Sequence, residues 1–382
     1  MTLTNRYDQA MMNLFGTPKR VFDHGQGVYV TDVDGKTYLD LLAGIAVNAL
    51  GYAHPVQVAA LAAQASKMMH VSNFFASVPQ IELAEKLKDM LTAEGYVGSA
   101  ARVFFANSGA EANEGAIKLA RTHKPGGRIV ALNHGFHGRT LGALSITEKP
   151  RIREPFEPLP GNVTFVDPEA SALEAVMADD VAALFVETIQ GEAGVEPISS
   201  EFLTRARELC DRFGALLVVD EVQTGMGRTG RWFAHSAKVK ADVITLAKGL
   251  GGGFPIGAVI GIGRAGRLLT PGSHGSTFAG SPLATATALA TLGETEKLMG
   301  HVKETGDWLA GELRGMGFTV RGAGLLLGIA IENAPAVVDQ LLEEGFIVNA
   351  PNESTIRIAP PLIITKDELT PFLAAMKSRV SK

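Results

Sequence analysis

Cysteine is almost missing from this chain: one residue, Cys210, in 382. No intramolecular disulfide can form, which excludes a disulfide-stapled scaffold and fits a reducing compartment. Cys210 lies in FLTRARELCDRF, whose spacing predicts a helix, and reads as a small packing residue. Charge of one sign is also lacking. The 35 basic and 40 acidic side chains leave a formal net charge of −5, so no global field draws nucleic acid or an anionic membrane. A small anion would have to be caught by a local site. No apolar window approaches the length of a membrane span. The opening MTLTNRYDQA carries Arg6 and Asp8 where a signal peptide would have its apolar run. The expectation is a soluble cytoplasmic protein with no nucleic-acid or membrane partner. Internal repeats and low-complexity linkers are absent too. What remains is an ordinary globular composition, 46% hydrophobic and 20% charged, long enough for one large core and a second, smaller one.

The order of patterns predicts how those cores are divided. The first fifty residues read as a helix and a β-meander, with Asp34-Gly35 as a two-residue hairpin signal. From about residue 55 to 281, short apolar runs alternate with amphipathic stretches: RVFFAN before EANEGAIKLART, then RIVALN, VAALFVE before SEFLTRARELCDRF, ALLVVDEV and ADVITLAK. This alternation predicts an α/β fold with a mostly parallel sheet covered by helices. After Pro282 comes an Ala/Leu-rich helix over residues 283–300, then helix–strand alternation to the end. Residues 1–54 and 282–382 are expected to form one smaller α+β domain, and residues 55–281 the large one.

In a parallel sheet, ligands gather at the carboxyl ends of the strands, and the unusual polar residues of this sequence fall there. Lys248 ends the run DVITLAK and is followed by glycines 249, 251, 252 and 253. An amine at the end of a buried strand should lose basicity, and a neutral amine attacks aldehydes to form a Schiff base. A surface lysine at a strand end is the plain alternative. Asp220 closes ALLVVD, where a carboxylate can keep a pyridine nitrogen protonated or simply cap a helix. Gln223, just beyond it, suits donation to a phenolate. Ser108-Gly109-Ala110 lead from a strand ending at Ala106 into a helix beginning near Glu111, a cradle for a phosphate. No Walker or dinucleotide fingerprint accompanies it. In HGFHGRT, Phe136 could stack on a flat ring and Arg139 could clamp a carboxylate. His134 and His137 have the look of metal ligands but lack a third, so no metal is expected.

Together these pieces form a known pattern. LLVVDEVQTGMGRTG followed by DVITLAKGLGGG closely resembles the signature of the class III aminotransferases of pyridoxal-phosphate (PLP) fold type I. GIAVNALGYAHP, HVSNFF, NSGAEANEGAIKLAR, FHGRT, ETIQGEAGV, HGSTFAGSPLA, VRGAGLLLGI and IRIAPPLIIT extend the resemblance over nearly the whole chain. It implies a seven-stranded sheet in the large domain and PLP held by Lys248 as a Schiff base, with Lys248 then shuttling a proton between substrate and cofactor. It implies that Asp220 pairs with the pyridine nitrogen, Gln223 contacts the phenolate oxygen, Phe136 and Val222 cover the two ring faces, and Ser108, Gly109 and Ala110 hold the phosphate. It further implies a homodimer in which Thr277 of one subunit completes the phosphate site of the other, with Ser276 beside the substrate. Arg139 would grip the substrate α-carboxylate. Glu192 and Arg357 would form a gate that opens for a dicarboxylate. The activity implied is transfer of the δ-amino group of N2-acetylornithine to 2-oxoglutarate, with ornithine, succinylornithine, succinyldiaminopimelate or 4-aminobutyrate as other possible donors. An aminomutase or a PLP-binding module without catalysis would be of different type. Tyr52 stands where the family usually has a histidine, and the Asn73-Phe74-Phe75 stretch lacks a tyrosine common nearby; both are expected toward the distal end of the substrate.

Overall fold

Seven strands organise the computed structural model, which describes residues 1–98 and 100–379. They are β1 (Ala101–Ala106), β2 (Arg128–Leu132), β3 (Val163–Val166), β4 (Val181–Val186), β5 (Leu216–Asp220), β6 (Val243–Leu246) and β7 (Gly257–Ile262). Their spatial order is β1-β7-β6-β5-β4-β2-β3. Only β7 runs antiparallel to its neighbours, while the pairs from β6 to β3 are parallel. This is the mostly parallel, seven-stranded α/β sheet that the resemblance implies. The apolar runs gave β1, β2, β4, β5 and β6; β3 and β7, from VTFV and GAVIGI, complete it.

The central strands are buried on both faces, which is why they read as unbroken apolar runs instead of alternating ones. Leu184, Val186, Leu217 and Val219 point into one core with Leu203, Leu209 and Cys210. Ala183, Phe185, Leu216 and Val218 face the opposite way, against Ala112, Ala116 and Ile117 of helix α1 (Gly109–His123). Cys210 is buried, and burial pushes its thiol up to about 12; it packs and does not react.

A further core joins the two ends of the chain. Val28, Leu39 and Leu41 from the N-terminal meander pack with Val302, Leu309, Leu327, Ile356 and Phe372. The meander (Phe22–Gln26, Tyr29–Asp32, Thr37–Asp40) takes Phe346–Ile347 as a fourth strand, parallel to its last. A four-stranded antiparallel sheet follows, ordered Val320–Ala323, Leu326–Ala330, Thr355–Ile358, Asn349–Asn352. The meander turn is longer than the Asp34-Gly35 signal predicts. Strands stop at Asp32 and resume at Thr37, because the Asp32 carboxylate accepts from the amides of Asp34 and Lys36 at 3.0 and 2.9 Å.

Helix α2 (Pro282–Gly315) connects the cores and runs well past the expected end at residue 300. Its first half contributes Ala284, Ala288 and Leu292 to the large core. Its second half contributes Val302, Leu309 and Leu313 to the smaller one, so its apolar stripe has no reason to stop midway. At Gly306 the helix touches backbone: a Cβ there would stand 2.1 Å from Gly324 O. Gly311, one and a half turns on, has open space around it. Gly311→Ala is therefore expected to stabilise by roughly the helix-propensity difference of ~0.8–1 kcal/mol. Gly306→Ala gains the same propensity but overpacks against an immovable carbonyl, a cost of about 1–3 kcal/mol, so it should lower the unfolding midpoint. Denaturant melts of the two variants check this; equal effects at both sites would show that the helix is not in close contact at Gly306.

Candidate active site

The carboxyl ends of β1, β4, β5 and β6 open onto one cavity of about 450 Å³. Ser108, Gly109, Ala110, Phe136, Arg139, Glu192, Asp220, Val222, Gln223 and Lys248, drawn from across the sequence, all line it. Lys248 follows β6 with φ 44°, in the left-handed region that a lysine rarely adopts. Its amine is enclosed by protein. Burial and the nearby Arg357 charge lower its pKa to about 8, although Glu192, Asp220 and Glu187 pull the other way.

Asp220 ends β5 and is almost wholly buried. Its Oδ2 accepts from His137 Nδ1 at 2.7 Å and from Asn113 Nδ2 at 2.8 Å, while Oδ1 accepts from the Val222 amide at 2.9 Å. Asn113 also donates to His137 O at 2.7 Å. Burial alone would lower the His137 imidazole, but the hydrogen bond and charge of Asp220 outweigh it and raise its pKa. His137 Nε2 has no partner among the described residues. His134 turns elsewhere, its amide donating to Glu148 Oε2 at 3.0 Å, so the two histidines that suggested a metal serve different neighbours. Glu187 also lines the cavity, accepting from the Phe136 amide at 3.0 Å. Burial raises its carboxyl, and Asp220 pushes the same way against His137 and Lys248. Asn113, His137 as a partner of Asp220, and Glu187 were not anticipated. The available signal was Asn113, a polar residue on the apolar stripe of Ala112, Ala116 and Ala120.

Opposite Asp220 the wall is the start of α1. The helix begins at Gly109, two residues earlier than expected, because Ser108 is the cap: its Oγ accepts from the Glu111 amide at 3.1 Å. The amides of Gly109 and Ala110 are thus left at a helix N-terminus with no intrahelical acceptor. Gly109 is required by its neighbour, since a Cβ would meet Val222 Cγ1 at 2.8 Å; at Gly257 it would meet Ser108 O at 2.4 Å.

Arg357, on the strand Thr355–Ile358, does not line the cavity but braces two residues that do. Its Nη1 donates to Glu192 Oε1 at 2.5 Å and Gln223 Oε1 at 3.1 Å, and Nε to Asn349 Oδ1 at 3.0 Å. Nη2, fully buried, has no partner among the described residues. Burial would raise the Glu192 carboxyl, yet the Arg357 charge and hydrogen bond, with Lys149 and Lys248, hold it at about 2. With its Oε1 engaged, Gln223 has its amide nitrogen left to donate. Ser276 and Thr277 are not among the lining residues. Ser276 Oγ accepts from Asn107 Nδ2 at 2.9 Å at the cavity edge, and Thr277 is exposed. Tyr52 does not line the cavity either; its hydroxyl donates to Asp40 Oδ2 at 2.7 Å. Phe74 and Phe75 lie on the surface.

The family model described as aminotransferase class-III matches residues 15–380. The chain belongs to the class-III aminotransferases. It is 48% identical to the acetylornithine aminotransferase of Bifidobacterium longum, over 97% of this chain and 94% of that protein. It is likewise 48% identical to the acetylornithine aminotransferase of Mycolicibacterium smegmatis, over 98% and 97%. Among solved structures it resembles N-acetylornithine aminotransferase from Stenotrophomonas maltophilia (36% identity, TM-score 0.82, 99% and 98% of the two chains). It also resembles an ornithine aminotransferase from Toxoplasma gondii (32%, 0.91, 98% and 93%). Backbone likeness therefore does not separate the two donors.

Class-III aminotransferases use PLP, and the cavity of this one fits it. An enclosed amine of lowered basicity awaits an aldehyde, a buried carboxylate oriented by three donors awaits a protonated ring nitrogen, and a capped helix N-terminus awaits a phosphate. The apoprotein should capture added PLP, followed by absorbance, at a rate that rises with pH about a midpoint near about 8. Glu192→Gln removes a charge that raises the amine pKa and should move that midpoint down. A midpoint near that of free lysine, ~10.4, would show an ordinary solvated amine.

Proposed function

We propose that this chain moves the δ-amino group of N2-acetylornithine to 2-oxoglutarate, giving N-acetylglutamate 5-semialdehyde and glutamate, a step of arginine biosynthesis in the cytoplasm. The observation that carries this reading is the buried Glu192–Arg357 pair beside the cavity of Lys248. The donor brings one carboxylate and a neutral acylated end; the acceptor brings two carboxylates. A single pocket that serves both in turn needs a cation that can be covered or offered, and Arg357, whose Nη2 has no partner among the described residues, is such a cation. The 48% identity to two acetylornithine aminotransferases over almost the full chain favours the acylated donor.

PLP supplies an aldehyde that condenses with amines and a protonated ring that draws electrons from the carbon bearing the nitrogen. The residues of this chain do the rest. Lys248 would hold the aldehyde carbon of the bound cofactor, and its amine, when free, would serve as general base and acid at the substrate carbon. Asp220 keeps the ring nitrogen protonated, and Asn113 and His137 keep Asp220 in position. Gln223 donates to the phenolate. Phe136 and Val222 flank the ring and exclude water. Ser108, Gly109 and Ala110 bind the phosphate. Arg139 takes the substrate α-carboxylate.

The functional unit we propose is a homodimer, with residues 1–54 and 282–382 acting as a small domain against residues 55–281. Phe74 (92% exposed), Phe75, Met69 and Phe278 present apolar surface on the segments around Asn73 and Thr277, which are tied by the Asn73 amide donating to Ser276 O at 2.9 Å. Such a patch is expected at an interface. Thr277, away from its own cavity, is then free to complete the phosphate site of the neighbouring subunit.

Two measurements test this. Adding N2-acetylornithine without keto acid should convert the PLP absorbance to that of the pyridoxamine form, and 2-oxoglutarate should restore it. Conversion by ornithine, succinylornithine or 4-aminobutyrate in preference would keep the chemistry and replace the donor. Separately, Lys248→Ala and Thr277→Ala should each be impaired, and unfolding and refolding them together should regain activity, since a hybrid dimer has one intact site. No recovery on mixing would place Thr277 outside the neighbouring site.

A further inference from the structure

Glu192 is held by two cations at once. Its Oε1 accepts from Arg357 Nη1 at 2.5 Å, and its Oε2 lies 3.3 Å from Lys149 Nζ. Lys149 comes from a different part of the fold, the N-cap of the short helix Pro150–Arg153. Its ammonium stands 5.7 Å from the ring centroid of Phe136, which lines the cavity. Glu192 is its one carboxylate partner among the described residues.

Opening the Glu192–Arg357 pair raises a physical difficulty. A carboxylate that is mostly buried and loses its only cation must stay unpaired or take up a proton, and either outcome opposes opening. Backbone retreat is blocked. Asn352 Nδ2 donates to Ala193 O at 2.8 Å and Arg321 Nη2 to Gly194 O at 3.1 Å, so the turn bearing Glu192 is pinned to the sheet that bears Arg357. On its other side Gly191 lies against the Gln223 amide, where a Cβ would meet Oε1 at 1.9 Å. Glu192 can therefore move only by rotating its side chain, and it needs a partner within reach.

We infer that Lys149 is a specificity-determining residue: the second cation that keeps Glu192 paired when Arg357 turns to a substrate carboxylate, and so favours dicarboxylates. This rests on the gate reading of Glu192 and Arg357 given above. In the closed state Glu192 has both cations and loses little without Lys149. In the open state Lys149 is the only one left. Removing it penalises the dicarboxylate half of the cycle and spares the half run by the acylated amine.

The test uses the holoenzyme and the substitutions Lys149→Met and Lys149→Arg. The glutamate and N2-acetylornithine half-reactions are followed separately by absorbance, and binding of glutarate, an unreactive dicarboxylate, by calorimetry. Lys149→Met should weaken glutarate binding and raise the KM for glutamate by roughly five- to tenfold, between the effect of an exposed pair and that of a buried one. Its maximal glutamate rate and its KM for N2-acetylornithine should change by less than about twofold, and Lys149→Arg should restore glutarate binding. A second signature is linkage. The charged groups facing Glu192 are Arg357, Lys149 and Lys248; in Lys149→Met holoenzyme, with Lys248 engaged by the cofactor, a dicarboxylate that takes Arg357 leaves Glu192 to bind a proton. Glutarate binding should then tighten more steeply as pH falls from about 8 to 6 in that variant than in the parent, since Glu187, which lines the same cavity with its carboxyl raised to about 7, titrates in both. Equal losses in both half-reactions, or unaltered glutarate binding, would overturn the inference. Inactivity of the parent enzyme toward N2-acetylornithine would discard the donor alone, because the glutarate and glutamate measurements do not involve it.

Discussion

Asp220 closes a strand that is apolar along its whole length, and its carboxylate must survive where the sheet offers no water. Three donors make that possible: the ring of His137, the side-chain amide of Asn113 and the backbone of Val222. A buried carboxylate without such partners would leave acceptors unsatisfied, at a cost in free energy. The arrangement then spreads. Asn113 must sit on the apolar face of α1, His137 must follow β2 into a loop that folds back over the sheet, and the amide of Val222 must turn toward Oδ1. The turn that satisfies Asp220 also sets Val222 against Gly109 and brings Gln223 within reach of Arg357. One carboxylate thus orders the cavity floor, the position of Val222 against Gly109 and the contact of Gln223 with Arg357.

Lys248 presents the opposite problem. Its charge is disfavoured where Asp220 needs its own, and the same burial that constrains the aspartate releases the lysine proton near about 8. The left-handed backbone at Lys248 places a long side chain straight after a buried strand, and the small residues beyond it let the chain leave without filling the cavity. Depth at the strand ends therefore lowers the basicity of the amine, while three donors hold the neighbouring carboxylate in place.

How much of this is legible in the sequence depends on whether the signal is local. The ends of β5 and β6 are plain because an apolar run stops at a charged residue, and Ser108-Gly109 is plain because caps are written in adjacent residues. The sheet follows from the same runs, although β7, whose reversal lets it sit between β1 and β6, carries no mark of direction. The partners of Asp220 are not legible, for they lie 83 and 107 residues away and meet it only through the strand order. Arg357 could be named only by family resemblance; alone, an arginine in TIRI reads as the exposed side of an edge strand, yet it is fully buried. Lys149 is harder still, since a lysine before Pro150 looks like any surface cation. Helix α2 is legible only to residue 300, because its stripe passes from one core to another beyond it.

That passage between cores bears on the Glu192–Arg357 pair. Arg357 belongs to the sheet of the smaller core, and Glu192 to a turn leaving β4 of the large one. Asn352 and Arg321, both on the smaller core's sheet, grip the backbone of that turn, and Arg321 is further tied to Glu196 at 3.0 Å. If the smaller core shifts, Arg357 and the Glu192 backbone shift together and the pair stays closed. In the gate proposed above, choice of substrate is thus mechanically separate from any such shift. On the gate reading proposed above, Glu192 then answers to the charge of what enters by side-chain rotation between Arg357 and Lys149, the two cations that hold it.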